Sequence, residues 1–214
     1  MSNENLLQIY ASSFRKNWEL PALTEFGSGQ TMTYADLSRR IAALHLLFRE
    51  SGVRRGDKIA LMGKNSFSWV VVYMATLTYG AVIVPVLHDF NVQDAQHIIN
   101  HSDSVMLFIN ESIFDNMEFE KIPNVKSVLS LERRAVLAEH PLNNRAAEKF
   151  LARLPEKMRR AYPHGFTTAD IDYPEIPEET LAEINYTSGT TGFSKGVMLT
   201  PVSYTHLTLP TNAR

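Results

Sequence analysis

Short apolar segments alternate along this chain with longer segments of helical hydrophobic spacing, and this alternation limits the fold more than any other feature. KIALM at 58–62, AVIVPVL at 81–87 and SVMLFIN at 104–110 have the length and composition of buried strands. More than ten residues separate each from the next, which suits a crossover helix and not a hairpin. The pattern therefore predicts an α/β fold, with a parallel sheet of βαβ units covered by helices on both faces.

The remaining elements follow from caps and turns. Thr33 and Asn91 are each followed three residues later by aspartate, which is typical of a helix start. Short strands are predicted at ALTEF, TMTY, VKSVLSL and LAEINY, and residues 132–172 are interpreted as surface helices. Helices are predicted over roughly 5–18, from Thr33 to the turn at Gly52, over roughly 66–79, from Asn91 onward and over 146–161.

The stretch from Asn65 to Leu87 carries no charge and is long enough to span a bilayer. It also contains several polar residues, and Tyr79 with Gly80 is a helix stop before the strand that follows. We therefore interpret it as a buried helix, a turn and a strand. The residues predicted to face inward from this helix are Trp69, Val70, Tyr73, Met74 and Leu77.

Composition narrows the class of protein. The 21 basic and 23 acidic residues nearly cancel, so no overall field favours nucleic acid or an anionic membrane. The chain has no cysteine, which excludes disulfides and thiolate chemistry, and its first residues do not have the pattern of a secretion signal. These features favour a cytoplasmic protein without a transmembrane segment, and they leave peripheral membrane contact open.

The segment TSGTTGFSKG, at 187–196, follows the predicted strand LAEINY directly. Its glycines allow successive backbone N–H groups to point into one concavity, and its hydroxyl side chains add further donors. Lys195 brings a mobile positive charge to the same place. Polyphosphate is the ligand that this combination favours.

Two better-known phosphate loops do not fit this segment. The Walker A pattern needs glycine, four residues and then Gly-Lys-Ser/Thr, but Ser194 stands where its second glycine belongs. The glycine spacing also differs from the dinucleotide fingerprint. A flexible Gly/Ser/Thr connector is the remaining structural alternative.

TSGTTGFSKG strongly resembles the phosphate-loop signature of the adenylate-forming superfamily, which contains acyl-CoA synthetases, luciferases and peptide-synthetase adenylation domains. The upstream segments TYADL, GVRRGDKIALMGKNSFSWVVVYMATLTYGAVIVPV and IINHSD resemble the N-terminal subdomain of that family in order and spacing. One departure is Ser194, where the family usually has proline. A proline would lower the entropic cost of ordering the loop, so the loop with serine is expected to be less rigid.

The resemblance implies a two-step acid–thiol ligase, most similar to bacterial long-chain fatty acid–CoA ligases, that uses ATP, Mg²⁺ and coenzyme A. In this reaction the nucleophiles are the substrate carboxylate and the thiol, and none of the loop residues is one. No catalytic residue and no protein metal ligand is predicted in this chain. The residues implied to bind or shape the site of the β- and γ-phosphates are Thr187, Ser188, Gly189, Thr190, Thr191, Gly192, Lys195 and Gly196.

The same resemblance divides the chain into residues 1–200, the N-terminal part of an AMP-binding domain, and an unmatched tail at 201–214 that is interpreted as a foreign junction. The family's adenine, ribose and acyl contacts are expected later in the sequence. We therefore expect an incomplete sheet and no adenylation by this chain alone. The alternatives are an aryl- or amino-acid-adenylating domain and a nucleotide-binding module without chemistry.

Two other pairs of residues could suggest a binding site, but each is explained by packing in the core. His97 and His101 are four apart on a predicted helix, but the isoleucines between them indicate the edge of a core and not a metal site. Trp69 and Tyr73 are interpreted as packing residues and not as a platform for adenine.

Overall fold

The computed structural model describes residues 5–187 and 195–203, and it confirms the predicted alternation of strands and helices. The helices are α1 (Leu6–Lys16), α2 (Tyr34–Glu50), α3 (Phe67–Tyr79), α4 (Val92–His101), α5 (Glu111–Phe114), α6 (Ala146–Ala152) and α7 (Leu154–Ala161). The strands are β1 (Pro21–Thr24), β2 (Thr31–Thr33), β3 (Lys58–Met62), β4 (Val82–Val86), β5 (Ser104–Ile109), β6 (Ser127–Ser130), β7 (Val136–Glu139), β8 (Glu183–Thr187) and β9 (Lys195–Leu199).

The main sheet has seven strands in the order β7-β6-β5-β3-β4-β8-β9, and β1 and β2 form a separate antiparallel pair. The five inner strands are parallel, as the crossover spacing predicted. The two edge strands, β7 and β9, are antiparallel to their neighbours. The sheet is therefore mostly parallel and not wholly so, because both edge strands are joined to their neighbours by connections too short for a crossover.

Strand β7 is the clearest error of the sequence prediction, which interpreted residues 132–172 as surface helices. VLAE at 136–139 is too short to show a period, and it becomes a strand because β6 supplies hydrogen-bond partners for its backbone. The helices predicted over 146–161 do form, as α6 and α7. They are not wholly superficial, since Ala147 and Phe150 are buried in the core.

The sheet separates two apolar cores, and side chains of β3 alternate between them. Ile59 and Leu61 join the core under α1, α2, α3 and α6, whereas Ala60 and Met62 join the core under α4. The predicted inward face of α3 is only partly right. Leu77 is buried, but Trp69, Val70, Tyr73 and Met74 are half-buried, and the fully covered positions include Val71, Val72 and Ala75. This helix is apolar around most of its surface, so spacing alone could not select a face.

The predicted helix starts are confirmed at atomic level. The Thr33 side-chain oxygen accepts a hydrogen bond of 3.2 Å from the Asp36 N–H, and the Asn91 side chain accepts one of 2.8 Å from the Asp94 N–H. The uncharged stretch at 65–87 is the predicted helix, turn and strand, with Gly80 at φ 84° ending α3. In the two described ranges, no helix is both long and apolar enough to cross a bilayer.

The predicted tail begins in the described part of the chain. Pro201 is buried, and the Val202 N–H donates a hydrogen bond of 3.4 Å to the Glu178 carbonyl. Residues 204–214 lie outside the described residues. The boundary at residue 200 and the interpretation of 201–214 as a foreign junction therefore stay predictions.

One buried histidine predicts how stability depends on pH. Burial lowers the pKa of His45 to about 4, its hydrogen bond to the Ala75 carbonyl opposes that shift, and the charge of Arg49 adds to it. In the unfolded chain a histidine has a pKa of about 6.5, so it takes up a proton as the pH falls below that value while the folded ring stays neutral. We expect the free energy of unfolding to fall by about 1–2 kcal/mol from pH 7 to pH 5.

Urea unfolding at pH 7 and pH 5 measures this effect. His45→Gln keeps an N–H donor near the Thr78 hydroxyl, which lies 3.0 Å from the His45 Nε2 atom, and it removes the titration. The difference between the two pH values should therefore shrink in His45→Gln but not in the control His164→Gln, which changes an exposed histidine. An equal pH dependence in all three proteins would refute the assignment to His45.

Candidate functional site

The predicted phosphate loop lies in the hairpin formed by β8 and β9. Thr187 pairs with Lys195 and Tyr186 pairs with Gly196, so the two strands hold both ends of the segment 188–194 next to each other. Directly paired residues project from the same face of a hairpin, with Cβ atoms about 5 Å apart. The side chains of Thr187 and Lys195 therefore start side by side where the segment begins and ends.

Three of the eight predicted site residues fall in the described part of the chain, and the structure brings them together. Thr187, Lys195 and Gly196 are all exposed. None of the ion pairs among the described residues involves Lys195. The predicted residues that lie outside the described ranges are Ser188, Gly189, Thr190, Thr191 and Gly192.

The loop end of the hairpin lies on the carboxyl-terminal side of the sheet, where parallel α/β proteins usually bind their ligands. Strand β8 is parallel to β4, so Thr187, at its carboxyl end, lies on the same side of the sheet as the carboxyl ends of β3, β4, β5 and β6. Crevices beyond these carboxyl ends are the usual binding sites in such folds. The position, the exposed charge and the hydroxyl chemistry would suit an anionic ligand.

Comparison with known proteins identifies the family. Residues 11–211 match the family described as AMP-binding enzyme. The chain belongs to the AMP-binding enzyme family. This confirms the resemblance drawn from TSGTTGFSKG and the segments upstream of it, and it confirms the predicted α/β fold with a helix-covered, mostly parallel sheet.

Relatives of this AMP-binding enzyme chain include acyl-CoA ligases. The long-chain-fatty-acid–CoA ligase of Salmonella typhimurium is 26% identical over 208 residues, which are 92% of this chain and 36% of that protein. A probable acyl-activating enzyme 16, chloroplastic, of Arabidopsis thaliana is 28% identical over 214 residues, which are 96% of this chain and 30% of that protein. The chain thus spans about a third of the length of the curated relatives it matches.

A solved structure supports the fold independently of sequence. The anthranilate CoA ligase in complex with anthranoyl-AMP superposes with a TM-score of 0.71 at 17% identity, over 92% of this chain and 34% of that one. At this identity the similarity establishes the fold of the AMP-binding enzyme chain and not its substrate.

Sequence reasoning missed one residue that shapes the hairpin. Tyr186 is 6% exposed, and its ring lies across Gly196 of the paired strand. A Cβ atom at position 196 would lie 3.2 Å from Tyr186 Cζ and 3.0 Å from Ile184 Cγ2. Gly196 thus leaves room for the tyrosine ring, and a larger residue would require the ring or Ile184 to shift by a few tenths of an ångström. The sequence shows a glycine within a motif, but only the strand register shows what lies over it.

The histidine pair on α4 and the aromatic pair on α3, which could suggest other binding sites, each lie side by side on their own helix. His97 and His101 are neighbours on α4 with ring centroids 5.7 Å apart, and the described residues contain no cluster of three side chains that could hold a metal ion. Trp69 and Tyr73 stack on each other at 5.3 Å and are partly buried against the core. This agrees with their interpretation as packing residues.

A cavity of about 360 Å³ lies between α2, α3, β6 and α6. Its wall is mostly apolar, with Arg40 and Arg134 among the polar residues, and it includes no residue of β8 or β9. It therefore does not contribute to the predicted phosphate site.

Proposed function

We propose that this chain supplies the phosphate-holding part of an acid–thiol ligase that converts a fatty acid into its acyl-CoA. The single observation that carries the proposal is the exposed Lys195 beside Thr187, at the two ends of the segment 188–194. The substrates are ATP, a carboxylic acid and coenzyme A. The cytoplasm is the proposed location, and no nucleic-acid partner is part of the proposal.

In the first step a carboxylate oxygen of the acid attacks the α-phosphorus of ATP. The bond from that phosphorus to the bridging oxygen breaks, and pyrophosphate leaves with the electron pair. Negative charge grows on the leaving group, so the donors of 187–192 and the Lys195 ammonium group lower the barrier by stabilising it. A bound Mg²⁺ would supply further neutralisation of this charge. In the second step the sulfur of coenzyme A bonds to the acyl carbon, the bond from that carbon to the phosphate oxygen of AMP breaks, and AMP and the thiol proton are released.

The choice of a fatty acid rests on the names of the relatives that cover most of this chain. The alternative is an aryl- or amino-acid-adenylating domain, which the relatives named feruloyl-CoA synthase and tyrocidine synthase 3 support. A nucleotide-binding module without chemistry is the third candidate. Measured in the complete enzyme of which this chain is the proposed part, acid-dependent exchange of pyrophosphate separates the first two candidates from the third. The acid that supports the exchange then separates the first from the second.

We expect a polypeptide limited to residues 1–214 to bind magnesium pyrophosphate but not to adenylate any acid. Adenylation requires the base and ribose to be held as firmly as the phosphates, because the carboxylate must meet the α-phosphorus in line. The test measures incorporation of labelled pyrophosphate into ATP with a panel of fatty, aryl and amino acids. Incorporation above that of Lys195→Ala would show a complete active site within these residues and would contradict this expectation.

A further inference from the structure

The hairpin that carries the predicted phosphate loop is only loosely joined to the sheet by its backbone. Strand β8 pairs with β4 at one position, where Ile83 lies opposite Glu183. Beyond that point residues 184–187 pair with β9 and not with β4. The position of the loop relative to the body of the protein must therefore be set largely by side chains.

One face of β8 is fastened to α3. The Tyr73 hydroxyl donates a hydrogen bond of 2.6 Å to the Glu183 carboxylate, and the Asn185 side-chain amide donates another of 2.6 Å to the same group. Glu183 itself is 4% exposed. This contact fixes the base of the hairpin, where the strand is still paired with β4.

The opposite face is fastened to α4, and nearer to the loop. The Tyr186 hydroxyl and the His101 Nδ1 atom form a hydrogen bond of 2.7 Å, and the two rings meet edge to face at 5.8 Å. His101 ends α4, whose Ile98 and Ile99 are fully buried, so the imidazole is attached to a rigid helix. Tyr186 immediately precedes Thr187, the first residue of the loop motif.

The same tyrosine also touches the strand that returns from the loop. Its ring lies within 3.4 Å of where a Cβ atom would stand at Gly196, the residue after Lys195. One side chain thus contacts both strands of the hairpin beside the pair Thr187 and Lys195, and its hydroxyl joins them to α4.

We propose that His101 and Tyr186 are positioning residues for the phosphate loop. The hydrogen bond between them holds Thr187 and Lys195 at a fixed distance from the carboxyl ends of the inner strands, and this placement raises the affinity for a polyphosphate. The inference rests on the proposed function, because it assigns these residues to the ligand site of that function. Neither side chain is itself placed in contact with the ligand.

The test uses the whole 214-residue chain, with magnesium pyrophosphate as the ligand. Tyr186→Phe removes only the hydroxyl, and His101→Leu removes its partner. His101→Asn restores a polar atom close to the position of Nδ1. The matched control is Tyr79→Phe, which removes a tyrosine hydroxyl that donates a hydrogen bond of 3.0 Å to the Val53 carbonyl, away from the hairpin.

We expect Tyr186→Phe and His101→Leu to weaken pyrophosphate binding about three- to tenfold, which is the effect of losing one neutral hydrogen bond. Amide hydrogen exchange should become faster in residues 184–187 and 195–198 but not in α4. His101→Asn should recover part of the affinity, and Tyr79→Phe should leave both the affinity and the exchange of the hairpin unchanged.

Each outcome separates this inference from the proposed function. Binding that is lost in Lys195→Ala but unchanged in Tyr186→Phe and His101→Leu rejects the positioning role and leaves the proposed function intact. Unchanged hydrogen exchange in the hairpin of both variants also rejects the positioning role, whatever the affinity. A native chain that binds no pyrophosphate rejects the proposed function first, and the positioning role with it.

Discussion

Replacing Lys195 by alanine is expected to weaken the binding of magnesium pyrophosphate by about tenfold to a hundredfold, without changing the fold. A hydrogen bond to a charged phosphate contributes about 1.5–3 kcal/mol, which corresponds to that range of affinity. Lys195 is exposed, so its side chain contributes little to packing. Calorimetric titration of the native chain and of Lys195→Ala measures the change in affinity.

A second lysine variant serves as the matched control. Lys16 is also exposed, but it lies in the last turn of α1, so Lys16→Ala removes the same charge from another part of the molecule. We expect its affinity to stay close to that of the native chain. Equal affinities in the native chain, Lys16→Ala and Lys195→Ala would contradict the role of Lys195, provided that thermal melting shows all three to be folded.

The largest loss of stability is expected in the centre of the sheet. Leu61 lies on β3, is fully buried, and belongs to the core beneath α2 and α3. Leu61→Ala removes apolar contacts and leaves a cavity that the neighbouring helices can fill only in part. The free energy of unfolding should fall by about 2–5 kcal/mol.

Urea unfolding with Leu142→Ala as the control tests this prediction. Leu142 is 90% exposed, so the same chemical change there should alter the free energy of unfolding by less than about 0.5 kcal/mol. Similar losses in the two variants would mean that β3 is not the central strand of a buried sheet. The fold on which the phosphate site depends would then be wrong.

The fold could be predicted from the sequence where one local signal was enough. β3 has the predicted bounds of KIALM, because a short apolar run between turn residues leaves little choice. The caps at Thr33 and Asn91 depend on contacts three residues apart, so they too are visible in the sequence. The phosphate loop could be proposed from the sequence because the residues of its motif are contiguous.

The features that could not be predicted depend on residues far apart in the chain. Strand β7 forms because β6 is available beside it, and VLAE carries no signal of its own. His101 and Tyr186 are 85 positions apart, and each has an unremarkable local context. The buried face of α3 was also misjudged, because an almost wholly apolar helix takes its orientation from its neighbours.

The central claim is that residues 187–196 form a polyphosphate site, and chemical-shift mapping tests it most directly. Magnesium pyrophosphate is titrated into the isotope-labelled chain while the backbone amide signals are followed. We predict saturable shifts that are largest in 187–196 and decrease along β8 and β9. Shifts centred elsewhere, such as beside Arg40 and Arg134 at the separate cavity, or no saturable shift at all, would contradict the claim.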